Sequence, residues 1–299
     1  MNDISKGWLN GFLGVLIFSG SLPATRVAVG DFDPLFLTAA RATIAGLLGL
    51  CALGIAGASR PSRRDLASLS MAALGVVLGF PLLSALALEY ITAARSLVFV
   101  GLLPLCTAIF GVLRGKERPH PAFWLFALAG AACVTGFALL QNGDASLKGD
   151  LLMVGAIVAC GYGYAEGGRL ARSRGGWEVI SWALVLSLPA MAALCFLTRP
   201  YTWEHITLPA WISLIYVSLF SMLIGFIFWY RGLAQGGIAA VGQLQLLQPF
   251  LGLALAGLLL GETVTWSMLI AAGAVVGCVA GARMYASAAK PTASMALRP

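Results

Sequence analysis

The segment Gln243–Pro249, "QLQLLQP", places three glutamine amides and a proline inside a run that is otherwise nearly all apolar, from Gly237 to Leu260. Gln245 and Gln248 are spaced i,i+3 and share a helix face beside Pro249, while Gln243 lies nearer the opposite side. Amides in such surroundings do one of two things. They bind a solute directionally, or they join helices at roughly 1 kcal/mol each. Gln245 is the first choice for a binding role. Other residues of suitable chemistry are Phe18, Ser19 and Ser21 in "FSGSLP", Phe80, Phe99, Tyr162 in "CGYGYAEGG", and Phe226 in "GFIFWYRG". Amides, hydroxyls and aromatic rings suit a neutral or zwitterionic amphipathic solute, because small-molecule pockets are mostly apolar with a few directional polar groups. They do not form a catalytic constellation. No Walker A motif is present, and no Cys/His spacing points to a metal or cofactor.

Prolines mark where the elements that position these residues lose their regularity. A proline inside a helix frees the carbonyl four residues earlier. In a membrane that carbonyl must find a new partner or line a cavity. Pro249 frees Gln245, Pro104 frees Val100, Pro81 frees Val77 and Pro23 frees Ser19. These four prolines are the candidate hinges.

The solvent follows from composition. Of 299 residues, 60% are hydrophobic and 10% charged, and the mean hydropathy is +0.90. A soluble domain carries about 25% charged residues. Spanning a bilayer takes roughly 20 mostly apolar residues, and the pattern predicts ten spans: 8–29, 34–56, 66–88, 93–113, 121–140, 149–169, 177–197, 209–230, 237–260 and 265–286. The first is read as an uncleaved helix, not a signal peptide, since its apolar run continues to Val29. The six cysteines fall in apolar runs with no C-x-x-C pair and read as small core residues. Trp229 and Tyr230 read as members of an interfacial aromatic belt.

Charge sets the orientation. With the N-terminus inside, fourteen of the 19 basic residues fall on the inner side, leaving Arg26, Arg41, Arg95, Lys148 and Arg199. The positive-inside rule then puts both termini in the cytoplasm. The same distribution accounts for the net charge of +7 without nucleic acid. No aspartate or glutamate falls mid-span, with Glu89 and Glu166 near span ends. This argues against a carrier of cationic drugs. No lysine lies mid-membrane, which argues against phosphorylated solutes. Arg41 is the nearest exception and reads as a snorkelling or structural arginine. In the last span Gly273, Gly277 and Gly281 form a small-residue stripe, expected to pack against Ala132 and Gly136 of the fifth.

The chain also repeats itself. Residues 93–136 align with 238–281 at a constant offset of 145, matching Pro104 with Pro249, Glu117 with Glu262 and Cys133 with Cys278. With small slips 78–88 meets 224–234, and 5–14 meets 147–156. The expectation is an all-α membrane protein of ten helices in two five-helix repeats, 1–140 and 141–299. Five is odd, so the halves have inverted topology, an arrangement that places a substrate site near the midplane between them. The glutamines have no counterpart in the first half, where "VFVGLLP" (98–104) is apolar, so the scaffold does not demand them.

"P-(x)12-E" in both halves, together with "PLFLTAARATIAGLL" in the second helix, resembles the drug/metabolite transporter superfamily, of the ten-helix type with two EamA domains. Within it the chain is most similar to the aromatic amino-acid exporters. The resemblance covers nearly all of the chain. It implies a multi-pass protein of the cytoplasmic membrane that exports amino acids, aromatic ones favoured, by alternating access, without a cofactor or enzymatic activity. Its partners would be a small-molecule substrate and the lipid bilayer, with a monomer favoured over a dimer. Two alternatives remain at this level: an exporter of another neutral metabolite or drug, and a membrane sensor or scramblase without saturable flux.

Overall fold

A computed structural model describes residues 3–91, 96, 99–139, 146–252, 254 and 266–286, and among these every regular element is helical. Glu262, Arg95, Lys290 and Arg298 lie outside the described residues, as do parts of the fourth and ninth expected spans. The helices are α1 (Asp3–Ala28), α2 (Pro34–Ile55), α3 (Arg63–Ala87), α4 (Leu103–Gly115), α5 (Pro121–Leu139), α6 (Leu147–Arg174), α7 (Gly176–Leu197), α8 (Leu208–Gly236), α9 (238–252) and α10 (Trp266–Tyr285). Six of them, α1, α2, α3, α6, α7 and α8, are long and apolar enough to cross a membrane, and the apolar parts of α4, α5 and α10 are shorter.

Local chemistry explains where the helices begin and end. Asp33 accepts from the backbone N–H groups of Leu35 and Phe36 and starts α2 just ahead of Pro34. Ser62 and Asp65 form a reciprocal capping box at α3. Gly175 and Gly237 sit at φ +86° and +93°. That region favours glycine, and it lets the chain turn tightly from α6 into α7 and from α8 into α9.

Several helices depart from regular α geometry, and a proline stands at most of these places. In α1 the break falls at Gly20, three residues before Pro23. The Tyr216 hydroxyl donates to the carbonyl of Ile17 there at 2.6 Å, in space a Cβ on Gly20 would occupy. In α3 the turns widen to π geometry over Ala73–Gly79, just before Pro81. In α8 the same widening covers Val217–Ile224 without a proline. At the offset of 146 that aligns 78–88 with 224–234, residues 73–79 correspond to 219–225, so the two widenings overlap. The chain turns at 101–102 before Pro104 starts α4. In α9 residues Gln243–Leu247 tighten to 3-10 geometry just before Pro249. There the Gln245 carbonyl, which Pro249 cannot serve, accepts from the N–H of Gln248. A further proline, Pro189, is interior to α7.

The main packed pairs are α1 with α8, α2 with α7, α5 with α10, and α6 with both α3 and α4. The principal core joins Val15, Val76, Val77, Tyr164, Ile180, Leu184, Trp229, Leu233 and Val241. Outward-facing positions remain apolar: Ile55, Leu125, Leu197, Ile270 and Met284 are all largely exposed. Such a surface suits hydrocarbon, where every backbone group is satisfied within its helix.

Two sequence expectations change here. Trp229 and Tyr230 are not at an interface: both are fully buried. Helix α8 runs on to Gly236, so these rings lie well inside it instead of at its end. The glycine stripe of α10 meets α5 at one of its three positions only, Gly281. A Cβ added at Gly273, Gly277 or Gly136 would meet nothing within 4 Å, and only one at Gly281 would meet Phe126. The buried face of α10 is instead Val275, Val279 and Ala282. Glu166, near the end of its span as expected, has a completely buried side chain.

Candidate functional site

Where the irregular turns of α1, α3, α8 and α9 converge, the structure holds a cavity of about 40 Å³. Phe18, Ser21, Leu22 and Thr25 of α1 line it, with Arg41 of α2, Val76, Phe80, Pro81 and Ser84 of α3, Val100 and Leu103 at α4, Tyr164 of α6, Ser221 and Phe226 of α8, and Gln248 of α9. A buried water needs roughly 10–15 Å³ by the same kind of measure. The space is therefore water-sized, and an amino acid enters only if the helices part.

On one side of this space the aromatic rings interlock. Phe18 lies 5.0 Å from Phe226 and 6.2 Å from Trp229, centroid to centroid. Tyr164 lies 5.8 Å from Phe226 and 5.3 Å from Trp229, and Tyr230 packs on Phe226 at 5.3 Å. Glycine makes this possible: a Cβ at Gly167 would sit 2.2 Å from the Tyr230 ring. The Tyr230 hydroxyl donates to the carbonyl of Gly163 at 3.2 Å. Helix α3 closes on the same stretch of α6, where a Cβ on Gly75 would lie 2.5 Å from the Ala159 carbonyl oxygen.

Phe18, Phe80, Phe226 and Gln248 thus line the cavity together. The amide of Gln248 also donates to the Phe18 carbonyl at 3.2 Å, joining α9 to α1 across the break. Gln243 is fully buried and donates to the carbonyls of Pro104 and Ala239, both at 3.5 Å, so it joins α9 to α4. Gln245 is fully buried, its amide makes no hydrogen bond of ordinary geometry among the described residues, and it faces the Tyr164 side chain. Ser19 donates back to Leu16 within its own helix, and Ser21 is the hydroxyl that reaches the cavity. Tyr162 points away, edge-on to Phe110 at 5.3 Å with the Arg114 guanidinium over its ring. Two residues along a helix turn the side chain by about 200°, so Tyr164 faces the cavity where Tyr162 does not. Phe99 packs beside the core without lining the space. Pro81 lines the cavity, while Pro23, Pro104 and Pro249 border it through their helices.

Arg41 does not snorkel toward water as its place in the sequence suggests. It is 7% exposed and lines the cavity. Its Nη2 donates to the Ser221 hydroxyl at 3.2 Å, and Ser21 donates to the same oxygen at 2.8 Å. The sequence signal for Arg41 is its place inside an apolar span. Tyr164, Ser84 and Thr25 carry no separate signal.

A second cluster ties the bundle at the end where α3 starts and α4 and α6 finish. Glu166 accepts from Arg114 at 3.0 and 3.2 Å and from Arg169 at 2.6 Å, and Arg169 also donates to Ser68. Arg174 donates to Asp65 at 3.0 Å. Glu117 accepts from the backbone N–H groups of Ile238 and Ala239 at 2.8 Å each, and it also pairs with Arg172. The glutamate of the first "P-(x)12-E" motif is therefore the N-terminal cap of α9, a helix of the other half of the sequence.

The chain matches the EamA-like transporter family over residues 5–139 and again over 147–284. It is 62% identical to the "Uncharacterized transporter YdeK" of Bacillus subtilis (strain 168), across 96% of this chain and 100% of that one. It is 25% identical to the "Probable terminal-alkyne amino-acid exporter" of Streptantibioticus cattleyicolor, across 84% of each. A crystal structure that is 23% identical superposes with a TM-score of 0.77, covering 92% of this chain and 97% of that one, and so shares the fold. Proteins of this family are transporters, not enzymes. With two matched halves, apolar outward surfaces and a cavity where the helices lose regularity, the chain belongs to the EamA-like transporter family.

Proposed function

We propose that the protein exports amino acids, aromatic ones favoured, across the cytoplasmic membrane by alternating access around the cavity. In this reading ten helices span the bilayer as two inverted five-helix halves, 1–140 and 141–299, with both termini in the cytoplasm. The observation that carries it is the pairing of irregular turns. The widenings of α3 and α8 correspond, and so do the turn at 101–102 and the 3-10 stretch of α9. Paired interruptions in matching positions of two halves mark a transport site. The aromatic wall, the hydroxyls and Gln248 suit an amphipathic solute with an aromatic body. The distant amino-acid exporter supports the substrate class.

The charged cluster at the far end of α6 serves as the inner closure. It joins α3, α4, α6 and α9, and it must open for the solute to enter from the cytoplasm. Helices α3, α4, α8 and α9 rock about their irregular turns, with Pro81, Pro104 and Pro249 as hinges and Pro23 beside the break of α1.

Efflux of labelled phenylalanine from proteoliposomes tests this. The expected result is saturable flux, competed by tryptophan and tyrosine and reduced by Gln248→Leu and Gln245→Leu. An absence of saturable flux for every aromatic amino acid would overturn the substrate class while leaving the family intact.

A further inference from the structure

We propose that Arg41 is the anion-recognition group of the cavity, and that the solute is held there by a carboxylate. The proposal deepens the amino-acid reading. It rests on that reading for the body of the solute but not for its charge.

Arg41 differs from the other arginines of the bundle in its partners. Each other buried or half-buried arginine of the inner cluster, Arg114, Arg169, Arg172 and Arg174, meets a carboxylate. Among the described residues none pairs with Arg41. Among them its one hydrogen bond is to a neutral hydroxyl, and its Nε has no partner there. A guanidinium stays protonated in a protein. Burying it without a counter-ion is costly, and in a membrane interior such a residue marks a functional pathway by default.

The surroundings select the partner. The guanidinium presents a planar fork of donors that matches a carboxylate in bidentate geometry. The Ser21 and Ser221 hydroxyls stand beside it, and Ser84 and Thr25 line the same space. One guanidinium neutralises one negative charge. A phosphate dianion would leave a second charge uncompensated in a low-dielectric space that holds no other cation among its lining residues. Phe18, Phe80 and Phe226 then receive an apolar body, and the carbonyl oxygen of Gln248 is an acceptor for an ammonium group.

The test uses the full chain in proteoliposomes, with labelled phenylalanine in counterflow. Competitors are unlabelled phenylalanine, 3-phenylpropionate, which keeps the carboxylate and loses the ammonium, and phenylalaninamide, which does the reverse. In the wild type the amide should compete at least about tenfold more weakly than phenylalanine, the factor a lost charged hydrogen-bond pair commands. In Arg41→Gln that ratio should collapse to within about twofold, with Arg41→Lys between the two. A purely structural arginine would lower all flux and leave the ratio intact, which would overturn the proposal. An amide as good as the acid in the wild type would overturn it with no mutant needed, so a variant that fails to fold leaves the test decisive.

If the wild type carries no aromatic amino acid, the substrate class of that reading has failed. The purified protein is then heated with phenylalanine, leucine, 3-phenylpropionate and their primary amides. Stabilisation by any of the acids and not by its amide, lost in Arg41→Lys or Arg41→Gln, supports carboxylate recognition on its own. No difference between acids and amides across the set would sink it.

Discussion

Removing the Glu117 carboxylate should loosen the joint between the two halves of the sequence. Glu117→Ala deletes two hydrogen bonds of 2.8 Å to the first N–H groups of α9 and the ion pair with Arg172. The Glu117 side chain is 10% exposed, so water replaces these partners poorly. Hydrogen bonds to charged groups contribute about 1.5–3 kcal/mol each, whereas deleting an N-cap costs about 0.5–2 kcal/mol. Access of water to the freed helix end moderates the sum, and roughly 2–3 kcal/mol is expected. For a chain of this size that is a fall in Tm of about 3–5 °C. Intrinsic tryptophan fluorescence during heating in detergent reports it. Glu117→Gln keeps one acceptor oxygen and should lose about half as much. Arg172→Met should show coupling to Glu117→Ala in a double-mutant cycle. A Glu117→Ala protein melting within about 1 °C of wild type would refute the capping role and the magnitude with it.

Gly232 is expected to tolerate no side chain. A Cβ there would lie 2.6 Å from the backbone nitrogen of Gly11, so Gly232→Ala should part α1 from α8 at a cost of about 1–3 kcal/mol, read as lower Tm and yield. Gly277→Ala, with nothing within 4 Å, should melt like the wild type. The Asp31 carboxylate accepts from the hydroxyl and the N–H of Thr207, and these bonds hold its pKa below the ordinary 3.8. Because the folded value is depressed, this latch contributes at neutral pH and is lost as the pH falls through the folded value. The Tm gap between wild type and Asp31→Asn should be full at neutral pH and narrow steadily as the pH falls below the ordinary carboxylate range. Pro104→Ala combined with Pro249→Ala restores two N–H donors and should slow phenylalanine flux in proteoliposomes about tenfold or more, while unchanged flux would remove the hinge role.

Much of this architecture is legible in the sequence because hydrocarbon imposes simple demands. Apolar runs, short charged loops and prolines locate the helices to within a few residues at most boundaries. The internal repeat locates the matching irregular turns. Sequence and structure part where a helix outruns its apolar run. Helix α8 extends through Arg231 and Gln235 to Gly236, so Trp229 and Tyr230 are interior residues although the hydropathy signal stops beside them. Helix α6 extends to Arg174, and arginines from two helices make it possible to bury Glu166. The site is legible in kind more than in detail. Phe18, Phe80, Phe226 and Gln248 share the cavity, but which of Tyr162 and Tyr164 faces inward depends on helix rotation, and no single helix records it. Glu117 stands out as part of a repeated motif, yet its work is done on a helix more than a hundred residues away.

The 3-10 stretch of α9 also stores length. Its five residues rise about 2.0 Å each, against 1.5 Å in an α-helix, so the stretch is about 2.5 Å longer than the same residues wound normally. Glu117 pins the start of that helix, and Gln248 stands at the far end of the stretch. Rewinding it would draw Gln248 and Pro249 along the helix axis by that amount. The segment is then a short piston with one anchored end, and its stroke is comparable to the length of a hydrogen bond.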